Sequence, residues 1–219
     1  MKTSDLPTSH ERRGFRLVVV VLLAAFLLVG VAPLAFYLWG VPMSLLMRDP
    51  ASAAGAPFYI GFLSQVGIFF WAGAATICLF CAWVLHERQD HSEFVRFLLV
   101  AALLTLALGF DDVFLLHDGL FILMGIPEKA VMFGYALLAF FWFIRFRATI
   151  WRTNYLLLAM ALFFFAASIG VDLFFPHELE SRHPMLNHNL FEDGAKLTGV
   201  LSWFAYFATV GALAMDEPI

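Results

Sequence analysis

Apolar and polar positions along the chain separate into long blocks rather than into short alternating patterns. Leu17–Met47, Ala51–Leu85, Phe97–Phe110, Ala130–Ile144, Thr153–Val171 and Leu197–Met215 contain no Asp, Glu, Lys or Arg. A helix that crosses a bilayer needs about 20 mainly apolar residues. The blocks therefore predict six helices, over about 17–39, 58–85, 94–117, 128–146, 153–174 and 194–214. The expected fold class is all-α, a polytopic integral membrane bundle of six transmembrane helices. Residues 1–16 and 216–219 are its tails, and no separate soluble domain or internal repeat is visible. The first block is too long for a typical signal-peptide core and no small-residue cleavage pattern follows it, so it reads as a retained anchor.

The charges give the expected orientation. The N-terminal tail carries Lys2, Arg12, Arg13 and Arg16; the second connection carries Arg88 and Arg96; the fourth carries Arg145, Arg147 and Arg152. Arg48, Lys129, Arg182 and Lys196 fall on the other side. Nine against four predicts cytoplasmic N and C termini by the positive-inside rule. Short second and fourth connections predict that spans 2 and 3, and spans 4 and 5, pack as antiparallel neighbours. The stretch around Pro50 and Ala51–Ala56 reads as a flexible loop or a short interfacial segment.

Composition sharpens the class. Of 219 residues, 62% are hydrophobic, only 14% are charged and 26 are Phe. Mean hydropathy is +0.85 and the pI about 5.9. These values exclude a soluble domain, a disulfide scaffold, a disordered tail and a basic nucleic-acid binder. The bilayer is the expected partner, with a bacterial cytoplasmic (inner) membrane as the default location. Cys78 and Cys81 stand three apart within one span, which does not suit a disulfide, and no second ligand pair for zinc accompanies them.

The polar chemistry collects at the predicted outer end. Ten of the 17 acids lie there against four bases, with His117, His177, His183 and His188. Asp111-Asp112-Val-Phe-Leu-Leu-His117-Asp118 is the densest piece. At 100° per residue, Asp111 and Asp118 share a helix face, His117 lies beside them, and Asp112 points away. Gly125-Ile-Pro127 then makes a turn into the fourth span. Opening the sixth span, Asp193 suits an N-cap, and Glu192 and Lys196 stand four apart in the order that favours a helical ion pair. Lys196, Gly199, Trp203 and Tyr206 continue as a polar-aromatic stripe that suits a cavity wall or a packing seam. Asp172, Gln65 and Tyr135 sit at comparable depth on neighbouring spans.

Carboxylates and imidazoles sunk in a membrane bundle mark a cation site. Asp111, His117, Asp118 and Asp172 are candidate ligands for a divalent metal such as Zn, Fe or Mn. Glu192 and Lys196 are candidate catalytic groups, and Gln65, Tyr135, Trp203 and Tyr206 candidate cavity-lining residues. The chemistry expected is metal-dependent hydrolysis or redox chemistry on a membrane-embedded, lipid-like substrate. Asp and His on transmembrane helices loosely resemble the integral-membrane ceramidase-like hydrolases. Those have seven spans and an HxxxH pair on the last one, where this predicted last span has no His, so the family is not assigned. A proton- or cation-coupled transporter or channel, and a non-catalytic assembly or scaffold protein, are the competing expectations.

Overall fold

A computed structural model describes residues 9–88, 93–174 and 188–216, with side chains described over 18–88, 93–171 and 190–215. Among the described residues the regular structure is all helical, joined by turns, and contains no strand. In chain order the helices are α1 (Ser9–Trp39), α2 (Met43–Met47), α3 (Pro50–Ala53), α4 (Phe62–Glu87), α5 (Glu93–Phe114), α6 (Leu120–Leu123), α7 (Glu128–Ile150), α8 (Tyr155–Phe174) and α9 (His188–Asp216).

Five segments are long and apolar enough to cross a membrane: Val18–Trp39, Phe62–Glu87, Glu93–Phe114, Glu128–Ile150 and Leu190–Met215. They mark the chain as an integral membrane protein. Tyr155–Val171 is a sixth, shorter apolar helix.

The chain divides into two compact units, Met1–Ile60 and Gly61–Ile219. In the first, α1 carries Pro33 without a break. Two short helices then occupy the stretch around Pro50, read from the sequence as a flexible loop or a short interfacial segment. Asp49 caps α3 by accepting from the Ser52 amide at 2.9 Å, and Pro50 takes the first helical position. This is the place where a missing N–H costs nothing.

The second unit is built around α5 and α9. Helix α5 buries Phe94, Val95, Phe97, Leu98, Ala101, Ala102, Leu104 and Thr105, adjacent pairs repeating every three or four residues. Two neighbours per turn give a buried arc wide enough to meet a helix on each side, and α5 meets α4 and α7. Helix α9 packs against α4 and α8. Helix α7 therefore lies principally against α5, and α8 against α9, rather than the two forming the close pair expected from their short connection. Aromatic rings fill the space between: Trp142 of α7 meets Trp203 and Phe207 of α9 at centroid distances of 5.7 and 6.3 Å. Trp71 of α4 stacks on Phe165 of α8 at 5.7 Å. Gly199 allows α8 and α9 to approach, since a Cβ there would stand 2.6 Å from the Phe165 ring.

Candidate functional site

The site grows from the last turn of α5. Along this helix Phe97, Leu104 and Asp111 stand seven apart, as do Leu98, Thr105 and Asp112, and all six are buried. The two carboxylates thus extend the buried arc that packs the rest of the helix, and are only 6% and 7% exposed. A buried carboxylate requires partners. Each finds its own.

Asp111 faces the turn that follows its helix, and α7. Its Oδ2 meets His117 Nδ1 at 2.5 Å, and its Oδ1 accepts from the His117 backbone N–H at 3.0 Å and the Tyr135 hydroxyl at 3.1 Å. The carboxylate satisfies an amide that the end of α5 leaves without a helical acceptor. In the same move it grips the imidazole. With the carboxylate ionised, an acceptor only, the short contact calls for a proton on His117 Nδ1. None of the described residues bonds Nε2.

Asp112 faces the other way, between α4 and α9. It accepts from Trp71 Nε1 at 3.2 Å and pairs with the Lys196 ammonium. The Lys196 side chain is 37% exposed. Beside the pair lies a cavity of about 20 Å³, lined by Ser64 and Gly67 of α4 and by Asp193 and Leu197 of α9, among others. That is enough for one water.

Below the carboxylates the stripe on α9 proves to be a packing seam. Trp203 Nε1 donates to Thr105 Oγ1 at 3.0 Å, and that hydroxyl donates to the Ala101 carbonyl. Tyr206 and Thr153 are joined at 2.9 Å. Since the Thr153 hydroxyl donates to Ile150 O, Tyr206 is the donor. Between these two polar contacts Trp203, Phe207, Phe97 and Trp142 are nearly fully buried against one another.

The remaining predicted residues fall in different places. Asp118 is exposed, because α5 stops at Phe114 rather than at 117 and Leu115 turns left-handed at φ 48°. The helical face that would join Asp118 to Asp111 does not extend that far. Asp112, expected to point away, is buried because helices flank α5 on both sides. Gln65 is exposed and does not line the cavity; Leu63, Ser64 and Gly67 of its turn do. Tyr135 is half-buried on Asp111, and Trp203 and Tyr206 are buried on the seam. Glu192 is half-buried one turn before Lys196. Asp193 is not an N-cap, because α9 begins at His188. Asp172 belongs to α8, but its side chain lies outside the described residues, as do those of His177, His183 and His188. Among the described residues no three His, Cys, Asp or Glu side chains gather as a metal-holding group. Cys78 and Cys81 are free thiols, buried in the core.

Residues 15–210 match the family described as a domain of unknown function (DUF8692). The chain belongs to this family. The match runs from α1 into α9 and includes both carboxylates with all their partners. No curated protein and no solved structure matches the chain.

Proposed function

We propose that this protein is a six-span membrane enzyme, both termini cytoplasmic, that uses His117 as an acid–base group at its outer face on a lipid-like substrate. The 2.5 Å contact between His117 Nδ1 and Asp111 carries the reading. A carboxylate on Nδ1 fixes the tautomer and ring orientation, leaves Nε2 to take a proton, and stabilises the imidazolium that results. Tyr135 holds the same carboxylate from α7. In hydrolysis, Nε2 takes a proton from water as its oxygen attacks the substrate carbonyl, and returns it to the leaving oxygen or nitrogen. Lys196 lies on the other side of α5, paired with Asp112, and takes no part in this step. The nine Lys and Arg on the side of the termini support the orientation.

The aromatic floor of Trp203, Phe207, Phe97 and Trp142 favours chemistry over conduction. Its rings are nearly fully buried against one another below the carboxylates. A second reading has its own support: a metal-bound imidazole characteristically donates its other nitrogen to a carboxylate. His117 Nε2 would then hold Zn, Fe or Mn, with Asp111 orienting the ring rather than ligating. Metal content of the wild type beside Asp111→Ala and His117→Ala tests this, and equal, negligible metal in all three overturns it.

The catalytic reading is tested by reconstituting the protein in vesicles of mixed lipid classes and following composition by mass spectrometry. Wild type is expected to convert one lipid class, and His117→Ala to leave it intact. Unchanged composition with both proteins, with and without added metal, overturns the reading.

A further inference from the structure

The connection between α5 and α7 has a composition that does not fit a loop in water. Phe114, Leu115, Leu120, Ile122, Leu123 and Met124 are all exposed, Leu123 to 87%. From Phe114 to Ile126 the only ionisable groups are His117 and Asp118. Six large exposed apolar side chains in so short a stretch are the kind of surface that marks a contact. On α5 the exposed Phe110 ring stacks on Phe114 at 5.9 Å, which joins these side chains to the apolar outer surface of that helix, and Phe133 on α7 is exposed as well.

Most amides of this connection are bonded within it. Leu116 and Gly119 donate to Asp111 O and Leu115 O, and Phe121 and Ile126 to Leu116 O and Phe121 O. Leu123, Met124 and Gly125 donate within the α6 turn, and the His117 amide goes to the Asp111 carboxylate. A water loop leaves many of its amides to solvent. An unbonded backbone group is costly in the hydrocarbon, whereas the polar–apolar boundary offers water and headgroups to those few that remain. Positive φ at Leu115 and Gly125 folds the chain back within this short stretch.

We infer that residues 114–126 form a re-entrant segment lying in the polar–apolar boundary of the bilayer, with its apolar side chains in lipid. The occupant of the exposed patch is the membrane itself. Glu128 and Lys129 at the start of α7 then stand at the headgroup level. Resting on the catalytic reading above, the segment also narrows the substrate: His117 meets an amphiphile at its headgroup, reached laterally from the lipid.

Nitroxide labels test the depth. Leu123→Cys and Met124→Cys, in a Cys78→Ala/Cys81→Ala background of the full chain, are labelled and reconstituted in phosphatidylcholine–phosphatidylglycerol vesicles. Collision with oxygen is compared with collision with a water-soluble nickel chelate. The oxygen-to-nickel ratio is expected to match that of a label at Leu103→Cys on the exposed apolar face of α5, and to exceed that at Asp118→Cys several-fold. Either position can be read if the other variant fails to fold. Ratios at 123 and 124 equal to that at 118 overturn the inference. A lipid-like ratio without any lipid conversion removes the catalytic reading and leaves the inserted segment, whereas conversion with a water-like ratio does the reverse.

Discussion

Replacing Lys196 with methionine deprives a carboxylate that is 7% exposed of its only cationic partner among the described residues. Asp112 retains one hydrogen bond, from Trp71. Removing one member of a buried ion pair costs about 3–5 kcal/mol. Lys196 is 37% exposed, so its end of the pair is partly screened, and about 2–3 kcal/mol is the expected loss. Asp112→Asn should be milder, about 1 kcal/mol. The amide oxygen still accepts from Trp71, and the freed ammonium can extend toward water on its flexible stem. The double variant should be more stable than Lys196→Met alone, because no charge is then left buried. Reversible unfolding in mixed dodecylmaltoside–SDS micelles, followed by tryptophan fluorescence, measures all three. The reasoning fails if Asp112→Asn costs as much as Lys196→Met, or if every variant stays within about 0.5 kcal/mol of wild type, the range of an ordinary surface substitution.

Three more outcomes follow from the same unfolding assay. Thr105→Val keeps the shape but leaves the buried Trp203 N–H without its acceptor, a loss of about 1–3 kcal/mol. Tyr206→Phe removes one hydroxyl from the contact with Thr153 and should cost only about 0.6 kcal/mol, typical of hydrogen bonds between membrane helices. Gly199→Ala forces a Cβ against Phe165 and Ala161 O and should cost about 1–3 kcal/mol, while Gly134→Ala, with nothing within 4 Å, should be neutral or slightly stabilising.

The five long apolar helices were legible because such blocks have few other meanings. Asp111 and His117 stand out as candidates because they follow a block too short to span alone. Asp112 does not stand out in that way, although its register seven beyond Thr105 and fourteen beyond Leu98 is written in the sequence. Assigning α5 a single inner face discarded it, where a helix flanked on both sides buries two positions per turn. The end of α5 was harder to read. It depends on a leucine at positive φ, stabilised by an amide bonded to the Asp111 side chain, and neither local propensity nor periodicity announces such a turn. Asp118 consequently fell on the wrong side. The stripe from Lys196 to Tyr206 was visible, but only the hydroxyls of Thr105 and Thr153, contributed by distant parts of the chain, decided between a cavity wall and a seam.

Nitrogen-15 NMR of the His117 ring in lipid nanodiscs tests the Asp111–His117 arrangement most directly. Neutral wild-type imidazole should be protonated on Nδ1 with Nε2 bare, and Asp111→Asn should shift the population toward the Nε2–H form that free histidine prefers. An Nε2–H ring in the wild type, unchanged by Asp111→Asn, would contradict the account.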